Sequence, residues 1–388
     1  MDNSVHIEQG GFSGRVGILQ RVLPAYRLPF FDILAHSCAG GLCIAAGEPR
    51  PEESIHTSAD VNIAQYNPLK NIHIGRVSSP FYLCWQNGFI GWLNEWQPDV
   101  LIIEANPRYI STRYAVNWMH ARQRPVIGWG LGIPTANAQK NDLHNNTLKT
   151  ARRPGRQRFL GMFDAIIAYS NKGAKEYRAA GFPEDKVYVA INAVSSKPIG
   201  LAPERGPDYE QRPAVLFVGR LQERKRVDLL LEACAALPPD IQPDLKIVGE
   251  GPALNAFRKQ AEEIYPRACF TGALHGDELA NAFCKADLFV LPGTGGLAVQ
   301  EAMGYGLPLI VAEGDGTQAD LVRPENGWLV EEDNVDVLHN TLHEALADPK
   351  RLRKMGTISY RIVQEEVNIE MMAQVFIRAM QKEIEARD

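Results

Sequence analysis

The chain alternates short, wholly apolar runs with longer segments in which apolar residues recur at helical spacing. In the second half the apolar runs are Ala214–Gly219, Leu245–Gly249, Ala268–Gly272, Leu288–Pro292 and Leu307–Ala312, and the helical period appears between them at Val227–Leu237 and Leu254–Ile264. A run apolar at every position reads as a strand buried on both faces, and such strands alternating with amphipathic helices wind into a parallel sheet. The first half repeats the pattern. Its strands are expected at Val16–Gln20, Leu42–Ala46, Val100–Glu104, Val126–Trp129 and Ala165–Tyr169, with helices over Ile110–Arg122 and Lys172–Ala180. Phe81–Trp96 is rich in aromatic residues, of which Phe81, Trp85 and Trp92 fit one helical face. They read as core, with an acceptor platform or a membrane-facing patch as the alternative.

Between the halves, Lys197–Arg212 carries Pro198, Pro203, Pro207, Gly200 and Gly206 and no apolar period, which reads as a linker. The expected organisation is an N-terminal domain over 1–196, the linker 197–212, a C-terminal domain over 213–365 and a tail over 366–388. Met371–Ile384 in that tail is an amphipathic helix that either closes the C-terminal domain or packs back on the N-terminal one. The fold class is α/β, two Rossmann-like doubly wound domains facing across a cleft. Open sheets of this kind bind ligands beyond the C-terminal ends of their strands, so the cleft is the expected site.

Composition narrows the class. With 388 residues, 45% of them hydrophobic, and a net charge of -5, the chain has material for two cores and no general attraction to nucleic acid. Six scattered cysteines without a C-x-x-C pair point to neither a disulfide framework nor a zinc site. The first twenty residues lack a signal-peptide apolar region, and no apolar run is long enough to span a bilayer. A cytoplasmic protein is expected. One region departs from the average charge: between Ala105 and Phe163 the only acid is Asp142, against a series of arginines and lysines densest over residues 149–158. That asymmetry reads as a site for an anionic ligand, as peripheral contact with the inner membrane face, or as a solvated loop.

Three patterns could carry chemistry. Gly219, Arg220 and Lys225 follow the strand at Ala214, where glycine admits close approach and the cations could neutralise a diphosphate; a solvated helix start is the plain alternative. After the strand at Leu288, Gly293, Gly295 and Gly296 lead into a helix through Leu297 and Ala298 that carries Glu301. Free N–H groups and the helix dipole make such a start an anion cradle, and Glu301 could accept hydrogen bonds from a ribose. A tight turn with a surface glutamate is the alternative. The Gly249-Glu250-Gly251-Pro252 turn reads first as a strand exit, and Phe270–Leu274 as a strand whose backbone could meet a planar base.

These motifs taken in order, VGRLQERKRVDLLLEA, LKIVGEGP, FTGALHGDEL, ADLFVLP, LAVQEAMGYGLPLIVA and NGWLV, resemble the donor domain of the GT-B glycosyltransferases of family 4, the group 1 transferases, over Ala214–Asp348. In the first half PDVLIIEANP and the stretch from Phe163 to Val194 are similar to that family's later N-domain strands. The resemblance implies retaining transfer of a sugar from a UDP-, GDP- or ADP-linked donor to a glycan, lipid-linked or small-molecule acceptor. It implies no cofactor and no obligatory metal. Arg220 and Lys225 would hold the diphosphate, Glu301 the ribose, and the amides of Gly295–Ala298 the distal phosphate; Gly219, Glu250, Gly251 and Leu274 would complete the donor side. Two positions depart from the family pattern. Gly293 stands where the first glutamate of E-x7-E belongs, and the stretch Gly128–Gly132 has no histidine. Arg27, Glu104 and Arg108 are the acceptor-side candidates instead. The departures motivate a second reading, a catalytically degenerate GT-B partner subunit that binds nucleotide without turning it over.

Overall fold

A computed structural model of the chain describes residues 11–53, 55–76, 79, 81–133, 153–314 and 316–387. It divides into two compact units, one of residues 1–192 with 369–388 and one of residues 193–368.

The first unit contains the strands β1 (Val16–Val22), β2 (Leu42–Gly47), β3 (Gln65–Pro68), β4 (Lys70–Ile74), β5 (Leu83–Asn87), β6 (Val100–Glu104), β7 (Val126–Gly130), β8 (Ala165–Ala168) and β9 (Val187–Val189). Seven of these form a sheet in the order β3-β2-β1-β6-β7-β8-β9, and every neighbouring pair is parallel. β2 and β8 are buried along their whole length, as runs covered by helices on both faces must be. β4 and β5 stand apart as an antiparallel pair.

That pair corrects the reading of Phe81–Trp96. The segment is not one helix: β5 ends at Asn87, Gly88 turns the chain with φ 99°, and only Phe89–Trp96 is helical. Phe81 is 78% exposed, Trp92 is buried, and Trp85 lies on the strand. A period-2 alternation, Leu83 out, Cys84 in, Gln86 in, was masked by aromatic spacing that also fits a helix.

The second unit continues with β10 (Ala214–Val218), β11 (Asp244–Val248), β12 (Cys269–Gly272), β13 (Leu288–Leu291), β14 (Leu309–Ala312) and β15 (Gly327–Val330). Their order is β12-β11-β10-β13-β14-β15, again all parallel. The order reverses between β10 and β13, the switch point where loops leave in opposite directions and open a crevice.

The stretch 197–212 is not a free tether but lies on the second unit. The Arg205 guanidinium donates to the carbonyls of Ala286 (2.7 Å), Phe283 (3.0 Å) and Tyr305 (3.0 Å), and the Tyr209 hydroxyl to that of Leu346 (3.1 Å). The last helix, Ile369–Glu385, belongs to the first unit, where Phe376 packs against Phe30 and Trp129 and the buried Glu383 pairs with Lys186 at 2.8 Å. Among the described residues all six cysteines are free, and no helix is long and apolar enough to cross a membrane.

Candidate functional site

In the second unit the loops that leave β10 and β11 are stitched together. Gly219 donates to the Val248 carbonyl (3.0 Å), Leu221 to that of Glu250 (2.8 Å), and Gly249 to that of Gly272 (2.8 Å). Arg220 is therefore presented from a loop pinned on both sides, half-exposed, at the C-terminal edge of the sheet. A Cβ at Gly251 would meet the Leu221 carbonyl, so the close approach of these loops needs glycine there. Glu250 is exposed and Leu274 half-buried.

After Leu221 a single 3-10 turn, Glu223–Lys225, carries the chain across the switch point. It is sewn to the loop after β13: Thr294 donates its N–H to the Arg224 carbonyl (3.1 Å), Arg224 reaches back to the Thr294 hydroxyl (2.9 Å), and the Lys225 ammonium donates to the Thr294 carbonyl (2.6 Å). Gly295, with φ 135°, sits against that ammonium, where any Cβ would collide with it. Arg226 ends the turn in the left-handed region, φ 54°, and holds both Asp228 (3.0 Å) and Asp333, which is itself left-handed at φ 59°. These contacts fix where Lys225 points.

The helix Leu297–Gly304 starts directly from the loop, with Gly296 as its N-cap and no side-chain cap. Val299 and Gln300 donate back to the Gly296 carbonyl. The N–H groups of Gly295, Gly296, Leu297 and Ala298 donate to nothing among the described residues, so four donors and the positive end of the helix dipole stand open beside Lys225. Such a start binds anions. Gln318 braces it from behind through the Gly295 carbonyl (2.7 Å).

Glu301 is half-buried in the second turn, and burial alone raises its pKa above the ordinary carboxylate value. No described group hydrogen-bonds it. A carboxylate taken from water without a partner costs free energy until a ligand supplies donors. Its neighbour Gln300, wholly buried, is saturated: its carbonyl accepts from the N–H groups of Val194 and Ser195 (3.0 Å each), and its amide donates to the carbonyls of Ser195 (3.3 Å) and Val367 (3.0 Å). These partners flank both points where the chain passes between the units. Nothing in the sequence marked Gln300 for that task.

Gly293, where the family pattern has a glutamate, is buried. A Cβ there would run into the Arg224 carbonyl and lie 2.6 Å from the Lys225 carbonyl carbon. The position is glycine because the turn bearing Lys225 occupies the space. A cavity of ≈ 590 Å³ also opens here, lined by Arg224, Arg226, Asp228, Gly293, Thr294 and Asp333 among others, but by neither Lys225 nor Glu301.

In the first unit the loops after β1 and β6 meet at that sheet's own reversal of order. Arg27 is buried, its guanidinium over the rings of Tyr26, Trp129 and Tyr169 at 5.2–5.7 Å and bonded to the Asn192 side chain. It is built into the interior. Glu104 ends β6, accepts from the Arg21 N–H (2.5 Å), and has its pKa raised by burial. Arg27 and Glu104 both act on Tyr169, whose hydroxyl is pushed far up by burial. Arg108 is exposed and its backbone pairs with Cys84. Of the basic run 149–158, residues 149–152 lie outside the described residues, and Arg156 and Arg158 are exposed. Among the described residues no cluster of His, Cys, Asp or Glu is placed to hold a metal ion.

Residues 202–361 match the family model described as glycosyl transferases group 1. The chain is 32% identical over 184 residues to a GDP-mannose-dependent monoacylated alpha-(1-6)-phosphatidylinositol monomannoside mannosyltransferase of Corynebacterium glutamicum, covering 44% of this chain and 48% of the relative. It is 30% identical over 248 residues to a GDP-mannose-dependent alpha-(1-6)-phosphatidylinositol monomannoside mannosyltransferase of Mycolicibacterium smegmatis, covering 59% of this chain and 61% of that protein. The matches thus span about half to three fifths of these relatives' length. The structure of a lipopolysaccharide outer core galactosyltransferase, WaaB in its apo form, superposes with a TM-score of 0.67 over 95% of this chain and 99% of the other at 16% identity. That likeness is one of fold: two doubly wound α/β units, the GT-B architecture.

Proposed function

We propose that this chain is a glycosyltransferase that moves a sugar from a nucleotide-diphosphate sugar to a hydroxyl of a glycan or glycolipid, with retention of configuration and no obligatory metal. The observation that carries the reading is the grouping, at one switch point, of the Lys225 ammonium, the open amides of Gly295–Ala298 and the unpartnered carboxyl of Glu301. Arg220 and Lys225 are the cations for the diphosphate, and the four amides receive its distal phosphate. Glu301 accepts from the ribose hydroxyls. Departure of a nucleoside diphosphate from an oxocarbenium-like centre builds negative charge on phosphate oxygens, and fixed cations and amide dipoles stabilise that charge without reorganising. The acceptor belongs to the first unit, with Glu104 as the group that meets its hydroxyl. The names of the matched relatives make GDP-mannose the first donor to try and a lipid-linked acceptor the first acceptor; such an acceptor would put the chain peripherally at the inner membrane face.

The test is calorimetric titration with GDP, UDP and ADP, followed by an assay of nucleoside diphosphate release from the matching sugar donor, with and without EDTA. Selective binding of one nucleotide, lost in Lys225→Ala, together with EDTA-resistant release, supports the reading. Binding without release under every acceptor tried selects the degenerate partner subunit, for which Gly293 is the motivating residue. No binding by any nucleotide overturns both.

A further inference from the structure

The β4–β5 hairpin is amphipathic the wrong way round for a soluble surface. Its inward face is polar. Asn71 donates to the carbonyls of Arg21 (2.7 Å) and Glu48 (2.9 Å), His73 meets the Tyr82 hydroxyl (2.7 Å), and the buried Gln86 donates to the Gln20 carbonyl (2.6 Å) and accepts from Ser111 (2.8 Å). Opposite residues of an antiparallel pair share a face, so Ile72 with Trp85 and Ile74 with Leu83 form the other side. Its aliphatic part is open, with Ile72 45%, Ile74 53% and Leu83 36% exposed, while Trp85 is half-buried between Phe89 and Tyr114 and packs on the core. The residues that strand alternation would bury are turned to solvent.

Two exposed cations flank this face, while Glu52 and Glu53 lie on the His73 side of the hairpin. Lys70 shares the face at one end of the hairpin and Arg76 follows it at the other; both are exposed, and neither pairs with a described carboxylate. From Val61 to Asn94 the sequence has no Asp or Glu. We propose that this outer face of the hairpin is an interfacial docking surface for an anionic lipid bilayer, with Ile72, Ile74 and Leu83 entering the headgroup–acyl boundary and Lys70 and Arg76 meeting lipid phosphates. Apolar area combined with unpaired cations is what such surfaces bind through. A second copy of the chain is the poorer occupant, because a two-fold pairing of this face brings the exposed Lys70 and Arg76 of both copies together. This surface rests on the peripheral membrane contact proposed above, and vesicle binding needs no nucleotide sugar, so docking and sugar transfer can fail separately.

The experiment is cosedimentation of the full chain with phosphatidylcholine vesicles and with vesicles containing phosphatidylglycerol. The chain should sediment with the anionic vesicles and not with the neutral ones. Ile74→Asn with Leu83→Asn should weaken that binding at least roughly tenfold, as should Lys70→Glu with Arg76→Glu. The charge pair is exposed, so it tests the surface even if the first pair lowers stability; melting curves check both. Equal binding by wild type and both variants, or no binding to anionic vesicles, overturns the proposal. So does a dimer in analytical ultracentrifugation that Ile74→Asn with Leu83→Asn dissolves while vesicle binding is unchanged.

Discussion

The backbone of Lys225 occupies the space that a side chain at Gly293 would need, while its ammonium reaches past to the Thr294 carbonyl at 2.6 Å. One residue thus explains two features: why the glutamate of the family pattern is missing, and how a cation is aimed at the helix that starts with Leu297. The same ammonium also lies where a Cβ at Gly295 would be, although the φ of 135° is what requires glycine there.

Restoring the motif glutamate should therefore harm the protein. Gly293→Glu is expected to cost about 2–4 kcal/mol, because it forces the Arg224–Lys225 turn aside in a buried spot. Urea denaturation would measure it, and nucleotide affinity should fall with stability. A variant as stable as wild type would mean that the turn yields easily and that Gly293 is not imposed by packing.

Removing the Lys225 ammonium should slow transfer at least tenfold, about 1.4 kcal/mol. Lys225→Arg should not restore it, since the broad guanidinium has no place against Gly295. Steady-state kinetics on the matched donor would report both, and an unchanged rate in Lys225→Ala would remove the residue from the phosphate site.

Glu301 should trade stability for binding. Its folded pKa lies above its unfolded one, so the native state holds the proton more tightly. Without ligand, its contribution falls as pH rises from the ordinary carboxylate value through the raised one, and the penalty is complete above it. Glu301→Gln is expected to raise the melting temperature of the free protein at neutral pH, on the order of 1 kcal/mol of gain, and to flatten its dependence on mildly acidic pH. The same change should weaken nucleoside diphosphate binding. A free protein destabilised by Glu301→Gln would reveal a partner for the carboxylate and defeat the assignment.

Gln300→Leu leaves the N–H groups of Val194 and Ser195 without their acceptor and should cost roughly 2–4 kcal/mol, above an ordinary buried polar deletion. Gln300→Glu keeps the acceptor but loses the donor to the Val367 carbonyl, so it should fall between. Chemical denaturation of the two variants would check the order; equal costs would show that only one side of the clamp matters.

Most of the fold was legible because its strands are buried on both faces. AVLFV, LFVL and AIIA have no polar position to blur the reading, and the strand that each begins has a partner whatever its register. The β4–β5 hairpin was not legible. Its polar residues face inward to satisfy backbone carbonyls, its apolar ones face out, and aromatic spacing across Gly88 imitates a helix. The stretch 197–212 reads as a linker from proline and glycine alone, and the bonds of Arg205 to three carbonyls of the second unit lie beyond local sequence.

The sequence by itself determined the two doubly wound units and the places where cations, glycines and a glutamate leave their strands. Those are properties of local composition and of period, which need no partner to be recognised. The tertiary structure alone decided that Gly293 is glycine because of Lys225 and that Gln300 ties the donor helix to both chain crossings. It also decided that Arg27 is interior and that Glu104, half-buried at the end of its strand, has a raised pKa. Each of those depends on residues far apart in the chain arriving within a few ångströms of one another, and close packing, which leaves no spare volume, turns that arrival into a constraint.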